Sequence, residues 1–171
     1  MSNAYRTETR ESGTMRFRVE WFFDADTDAP WDREDGHGPV SDWTTRAKRP
    51  GEMILTRDRR MRRYYDFSEA VRIARRDGWN TEPYQWPSKG ARAHAAALAD
   101  FNYLRRWCAD YWHYCGIVVT LLDADGDPDS VDASLWGIED GLPGSSQYHE
   151  DVIQDLIAEC VDQITATVKE L

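Results

Sequence analysis

The first regular pattern along the chain is an alternation of apolar and polar positions over Met15–Phe23 (MRFRVEWFF). A period of two predicts a half-buried β-strand, because successive side chains of a strand point to opposite faces. Two shorter β-rich runs follow at Met53–Thr56 and Arg62–Tyr65, on either side of a polar turn at residues 58–60. This arrangement predicts a β-hairpin.

Helical periodicity occurs in three segments. Asp66 and Glu69 have capping-box spacing at the start of the first, and Gly78 follows its last turn. The second predicted helix runs from about residue 89 to residue 114, and the third covers residues 148–171. Between these two helices, GIVVTLL and ASLWGIE predict a second pair of strands joined by an acidic turn.

The elements follow the order β, β, β, α, α, β, β, α. This order predicts an α+β fold with an antiparallel sheet of four or five strands and about three helices packed on it. The chain has 171 residues, which is close to one ordinary domain, so we predict a single domain over residues 15–171. Residues 1–14 are predicted to form a flexible N-terminal segment.

The composition is that of a folded protein, with 41% hydrophobic and 12% aromatic residues. No apolar run approaches the ~20 residues of a membrane span, and the N-terminus lacks the apolar core of a secretory signal. We therefore expect a cytoplasmic protein that does not contact a membrane. Cys108, Cys115 and Cys160 are expected to be buried free thiols, and the first two fall on one predicted helix.

The net charge of −10 is unevenly distributed. Residues 1–42 hold five basic and ten acidic side chains, residues 43–110 hold fifteen and eight, and residues 111–171 hold one and thirteen. The three segments therefore carry charges of −5, +7 and −12. This asymmetry has two explanations, namely internal pairing of the basic middle with the acidic ends, or a charged surface that meets a partner.

The loop PWDREDGHGPVSDW combines several acids with a histidine. Asp35, His37 and Asp42 are candidate metal ligands, since oxygen and imidazole ligands that converge on an ion can activate a water for hydrolysis. A structural explanation stands beside this one. Gly36, Gly38 and Pro39 make turns, Trp31 and Trp43 anchor the two ends of the loop in the core, and Asp35 and His37 bond its backbone.

The other motifs that carry chemistry are absent from the sequence. If Asp123 is position 1 of a calcium loop, position 6 is Pro128 where glycine is required and position 12 is Ser134 where glutamate is required. There is no nucleophile motif, phosphate-binding loop or dinucleotide-binding glycine pattern. We predict no cofactor, and the chain is more readily explained as a binding protein than as an enzyme.

Two charged clusters are candidate partner-binding sites. The arginine cluster of residues 57–76 has interleaved aromatic residues, as contacts to phosphate and nucleic acid require, although the overall negative charge disfavours nucleic acid. The predicted C-terminal helix carries the acidic cluster on its outer face. The candidate residues are Arg59, Arg60, Arg62 and Arg63 in the first cluster and Glu150, Asp151, Asp155 and Glu159 in the second.

Four stretches carry a resemblance to a known group: WDREDGHGPVSDWTTR, RYYDFSEAVRIARRDGWN, RRWCADYWHYCGIVVTLLDADG and SLWGIED. Together they resemble uncharacterised small accessory proteins of tailed phages and prophages of Gram-negative bacteria. The resemblance spans about residues 31–140 and implies a phage gene product in the host cytoplasm. It implies no activity, cofactor or catalytic residue.

Small phage accessory proteins without enzyme motifs commonly bind a host or defence component, an argument from class rather than from any residue. The expected function is therefore that of a non-enzymatic phage accessory binding protein, with a bacterial anti-phage system such as CRISPR-Cas as its target. The alternative is a metal-dependent hydrolase that uses the loop at residues 26–42.

Overall fold

The structure is a computed structural model that describes residues 3–79 and 86–169. The predicted α+β fold is confirmed. Its elements, in chain order, are β1 (Arg6–Ser12), β2 (Met15–Phe23), α1 (Pro30–Arg33), β3 (Glu52–Asp58), β4 (Met61–Asp66), α2 (Phe67–Asp77), α3 (Lys89–Cys108), β5 (His113–Leu122), β6 (Pro128–Asp140) and α4 (Ser145–Lys169).

The chain forms two compact units, which we call the sheet unit (Met1–Thr27 and Trp112–Leu171) and the hairpin unit (Asp28–Tyr111). A compact unit is defined by its internal contacts and not by independent folding. The predicted single domain over residues 15–171 therefore stays a prediction.

The sheet unit contains a four-stranded antiparallel sheet in the order β1-β2-β5-β6, with α4 packed on one face. The alternation in β2 places Phe17, Val19 and Trp21 on this buried face, as the sequence predicts. The core is completed from β5, β6 and α4 by Cys115, Ile117, Val119, Ala133, Ile138, Val152, Ile153, Leu156 and Cys160.

Strand β1 lies within residues 1–14, where the sequence analysis predicts a flexible segment. It pairs with β2 in unbroken register, with Arg6 opposite Trp21 and Ser12 opposite Met15. Every residue of RTETRES is polar, so the strand has no apolar alternation that a sequence pattern could reveal. Backbone pairing holds it instead, together with the Arg6 guanidinium, which lies 4.1 Å from the Trp21 ring centroid.

Helix α3 ends at Cys108, six residues before the predicted end at Tyr114. Asp110 adopts a left-handed conformation with φ of 58°, and the Tyr111 N–H donates to the Arg106 carbonyl at 2.9 Å, which closes the helix. Cys115 therefore belongs to β5 and not to the helix of Cys108. The aromatic residues after Cys108 occur at helical spacing, and this pattern concealed the start of a strand.

The hairpin unit contains the predicted β3–β4 hairpin, and α2 and α3 pack together beside it. The capping prediction is confirmed, because the Asp66 carboxylate accepts the Glu69 N–H at 3.0 Å and Gly78 ends α2 with φ of 66°. The core of this unit is formed by Leu55, Tyr65, Ala70, Ala97, Phe101 and Leu104.

Glu52 fixes the loop before β3. Its carboxylate accepts two hydrogen bonds from the Arg46 guanidinium, at 2.6 and 2.8 Å, and one from the Arg49 N–H at 2.8 Å. These donors favour the ionised form and lower the pKa of Glu52 to about 2, with Arg46 the largest cause.

A lowered pKa in the folded state stabilises the fold above the ordinary glutamate value of 4.5, and the contribution is lost as the pH falls through 4.5 towards about 2. At pH 7 we expect Glu52→Gln to lower the free energy of unfolding by about 1–2 kcal/mol, less than the full shift implies because water screens the partly exposed Arg46. Urea titrations from pH 7 to pH 2.5 should show this difference become much smaller, because the contribution is lost as the pH approaches the folded-state pKa of about 2. Exposed Glu34→Gln is the control, and a difference independent of pH would contradict the expectation.

Candidate partner-binding surfaces

The acidic loop places its three candidate metal ligands in different environments. The side chains of Asp35 and Asp42 are exposed, whereas that of His37 is only 13% exposed. The structure does not bring these three residues together. Within residues 3–79 and 86–169, no group of three or more His, Cys, Asp or Glu side chains could hold a metal ion.

His37 belongs to a hydrogen-bond network centred on Asp100 of α3. Its Nδ1 lies 2.5 Å from Asp100 Oδ1, while the Gly38 N–H and the Tyr65 hydroxyl donate to Oδ2 at 2.8 and 2.6 Å. The Asp100 side chain is 9% exposed and accepts from all three groups. Burial, and then the hydrogen bond to Asp100, raises the pKa of Tyr65 well above its ordinary value, so its hydroxyl remains a donor.

Close packing explains Gly38. A Cβ at this position would lie 2.5 Å from the Tyr65 ring and hydroxyl and 2.6 Å from the Ala70 Cβ. The loop backbone therefore approaches Tyr65 as closely as only glycine permits, and this approach sets the bond from the Gly38 N–H to Asp100. Neither Asp100 nor Tyr65 was among the candidate residues, and their distance along the chain left no pattern that could have identified them.

The two tryptophans of the loop meet Arg63 of β4. The Arg63 guanidinium lies 5.4 Å from the Trp31 ring centroid and 5.2 Å from that of Trp43, and it donates to the Ser41 carbonyl at 3.1 Å. Trp31 also packs edge-to-face on Trp107 at 5.3 Å, whereas Trp43 is 38% exposed. Arg63 therefore holds the loop in place rather than projecting towards a partner.

The remaining hairpin arginines differ in exposure. Arg59 and Arg60 form the turn between β3 and β4. Both are exposed, as is Arg57, whereas Arg62 is half-buried. Among the described residues, Arg57, Arg59 and Arg60 form no ion pair. Internal pairing with acidic segments therefore does not account for these three side chains.

Arg59 also has a left-handed backbone, with φ of 52°. A two-residue hairpin turn favours Gly, Asn or Asp at such a position, and a residue with a larger side chain costs about 1 kcal/mol there. The turn therefore carries an arginine at a conformational cost.

Two of the three arginines of α2 are paired locally, and the third, Arg75, is exposed. Arg72 binds Glu69 with two hydrogen bonds, and Arg76 binds Asp77 at 2.6 and 3.0 Å. The Glu69 carboxylate raises the pKa of Arg72 and the Asp77 carboxylate raises that of Arg76. These pairs reduce the field of the 57–76 cluster, whose remaining exposed arginines are Arg75 and those of the hairpin.

The acidic cluster lies along α4. Glu150 accepts from Arg10 of β1 at 2.9 Å, and Asp151 accepts from the Gln147 amide at 3.1 Å. Asp155 and Glu159 are exposed, and they form no ion pair within the described part of the chain. We define the acidic face of α4 as Asp151, Asp155, Glu159 and Asp162.

The two units differ in net charge. The sheet unit has five basic and eighteen acidic residues, a net charge of −13, and the hairpin unit has sixteen and thirteen, a net charge of +3. The excess negative charge of the protein thus belongs to the unit that carries α4.

The described helices include none that is both long enough and apolar enough to cross a membrane. No protein-family model matches the chain, and no curated protein and no solved structure matches it either.

Proposed function

We propose that the chain is a non-enzymatic binding protein that engages a basic partner through the acidic face of α4. The observation that carries this proposal is the exposure of Asp155 and Glu159, without an ion pair in the described residues, on a helix whose opposite side is buried in a core. A rigid element thus presents fixed negative charge to solvent. Such a surface steers association with an oppositely charged partner.

The energetics of α4 support the same proposal. Asp151, Asp155 and Glu159 follow one another at intervals of four, where each like-charge pair destabilises a helix by about 0.2–0.5 kcal/mol. Between the start of α4 and Lys169 the helix has no lysine or arginine. A basic partner would remove this repulsion on binding.

The biological setting comes from the resemblance to phage accessory proteins, which remains a prediction. In that setting the protein acts in the host cytoplasm, and its target is a host or defence protein complex such as a CRISPR-Cas effector. Acidic α4 would occupy a basic groove that otherwise holds nucleic acid, and so it would inhibit the complex by competition.

A second candidate function is contact with an anionic partner through the hairpin turn. The left-handed backbone of Arg59 favours it, because strain of this kind is retained where the side chain has a use. Nucleic acid is one such partner, and its binding would weaken steeply with salt. The hydrolase alternative has no comparable support, since Asp35, His37 and Asp42 do not converge.

The decisive experiment compares two variants with the same change in net charge. Asp155→Lys with Glu159→Lys reverses the acidic face, and Asp125→Lys with Asp127→Lys reverses two exposed acids in the β5–β6 turn of the same unit. Tagged proteins are used to capture partners from bacteria that carry defence systems, and the association rate is then measured with the captured complex. We expect the first variant to associate about tenfold more slowly at low salt and the second to change much less.

Capture of no stoichiometric partner by the unmodified protein would overturn the proposal. Equal slowing by both variants would also overturn it, because net charge and not the acidic face would then control association.

A further inference from the structure

The two edges of the four-stranded sheet differ in how they are protected. At one edge, β6 begins with Pro128 and pairs with β5 through two register irregularities. Proline, bulges and charged side chains are the usual means by which an edge strand avoids pairing with another chain. At the other edge, β1 pairs with β2 over seven residues without a register shift and contains no proline, and four of its seven side chains are charged.

A groove lies beside the edge formed by β1. It has a volume of about 540 Å³ and is bounded by the end of β1 and by one side of α4. Ile153, Ile157 and Val161 supply its apolar surface, and the latter two are only half-buried. Its acidic boundary includes Glu11, Glu150 and Asp162.

The open edge of β1 and the groove form one site, because alternate side chains of a strand point to the same face of the sheet. Arg6, Glu8 and Arg10 pair opposite Trp21, Val19 and Phe17, which are the residues that face α4. A strand added beyond β1 would lie about 4.8 Å farther out and would direct alternate side chains to the same face. Those side chains would enter the space next to Ile157 and Val161.

We propose that β1 and α4 accept an extended basic peptide of a partner protein as a fifth strand of the sheet. Backbone hydrogen bonds to β1 would supply affinity, alternate apolar side chains would fill the groove, and Lys or Arg side chains would meet its acidic boundary. This inference rests on the proposed function, because it names the partner segment that lies beside the acidic face.

Charge determines which occupant fits. Arg10 is engaged by Glu8 and Glu150 on the α4 side of β1, and the groove is lined by more acidic than basic residues, which disfavours an acidic peptide. A second copy of this chain would bring another sheet unit of net charge −13 to the same edge. Charge complementarity therefore favours a basic segment of a different protein.

The experiment uses the full chain and a nine-residue peptide that has valine and lysine in turn at the positions facing α4 and threonine at the positions between them. A second peptide carries the same side chains but is N-methylated at alternate residues along the edge that would face β1, which removes hydrogen-bond donors without changing charge. Affinity is measured by fluorescence anisotropy. We expect N-methylation to weaken binding by about tenfold or more, since backbone bonds carry strand addition.

Val161→Lys tests the groove, and Val168→Lys is its matched control on the exposed end of the same helix, where Val168 is 67% exposed. We expect the first to weaken binding of the unmodified peptide about tenfold and the second to change it little. Thermal unfolding of each variant establishes that it is folded. If Val161→Lys unfolds the protein, the comparison of the two peptides on the unmodified chain still decides the question.

Equal affinity of the two peptides would overturn strand addition. If Asp155→Lys with Glu159→Lys still slowed capture of the cellular partner, the proposed function would survive that failure. A dimer detected by light scattering and dissociated by Thr9→Pro would assign the edge to a second copy and would also overturn the inference.

Discussion

Replacing Asp100 with alanine is expected to lower the free energy of unfolding by about 3–5 kcal/mol. The carboxylate is 91% buried and accepts from His37, the Gly38 N–H and the Tyr65 hydroxyl at 2.5–2.8 Å. Without it, the Gly38 N–H and His37 Nδ1 lose their acceptor, and a buried donor without an acceptor costs about 1–3 kcal/mol. Tyr65 loses less, because its hydroxyl also donates to the Ala97 carbonyl at 3.2 Å.

Urea unfolding followed by fluorescence measures this loss of stability. Two further variants test whether the loss comes from the buried Asp100 carboxylate. Asp100→Asn retains an acceptor oxygen but loses the charge, so its effect should fall between those of the unmodified protein and Asp100→Ala. Asp77→Ala removes an exposed carboxylate paired with Arg76 and should change stability by no more than about 0.5 kcal/mol. A loss below about 1 kcal/mol for Asp100→Ala would show that the network does not hold the loop.

Local signals predicted most of the hairpin unit. Asp66, Glu69 and Gly78 mark the ends of α2 through side-chain and backbone bonds made within a few residues, so their spacing is visible in the sequence. The β3–β4 hairpin was found in the same way. These features depend on neighbours along the chain.

Features that depend on distant partners were missed. Strand β1 is stabilised by β2 and not by its own pattern, and the end of α3 uses Asp110 where glycine is the usual signal. His37 was a candidate metal ligand, but its partner Asp100 is 63 residues away and lies on a helix whose apolar stripe gave no sign of it. Sequence spacing identifies a candidate side chain, whereas only the fold identifies what it contacts.

His149 is a comparable residue in the sheet unit, because no sequence spacing indicated what its side chain contacts. It is 3% exposed on α4, and it is held from both sides: the Trp21 indole N–H donates to Nδ1 at 3.3 Å, and Nε2 lies 2.9 Å from the Glu139 carbonyl. Because Nδ1 accepts, Nε2 must carry the hydrogen and donate it to Glu139. The imidazole thus joins α4 to β2 and β6 on the face of the sheet that α4 covers.

We expect His149→Leu to lower the free energy of unfolding by about 2–4 kcal/mol, because it leaves the buried Trp21 N–H without its acceptor and removes one hydrogen-bond donor from the Glu139 carbonyl. His94→Leu, at an exposed position on α3, is the matched control and should change stability by no more than about 0.5 kcal/mol.

A double-mutant cycle with Trp21→Phe separates the hydrogen bond from the change in packing. Once the indole N–H is absent, loss of its acceptor costs less, so the two substitutions together should destabilise by about 1–2 kcal/mol less than their sum. Chemical denaturation of the four proteins measures this coupling. Strict additivity would show that the Trp21–His149 bond contributes nothing to the attachment of α4, and the cost of His149→Leu would then come from packing and from Glu139 alone.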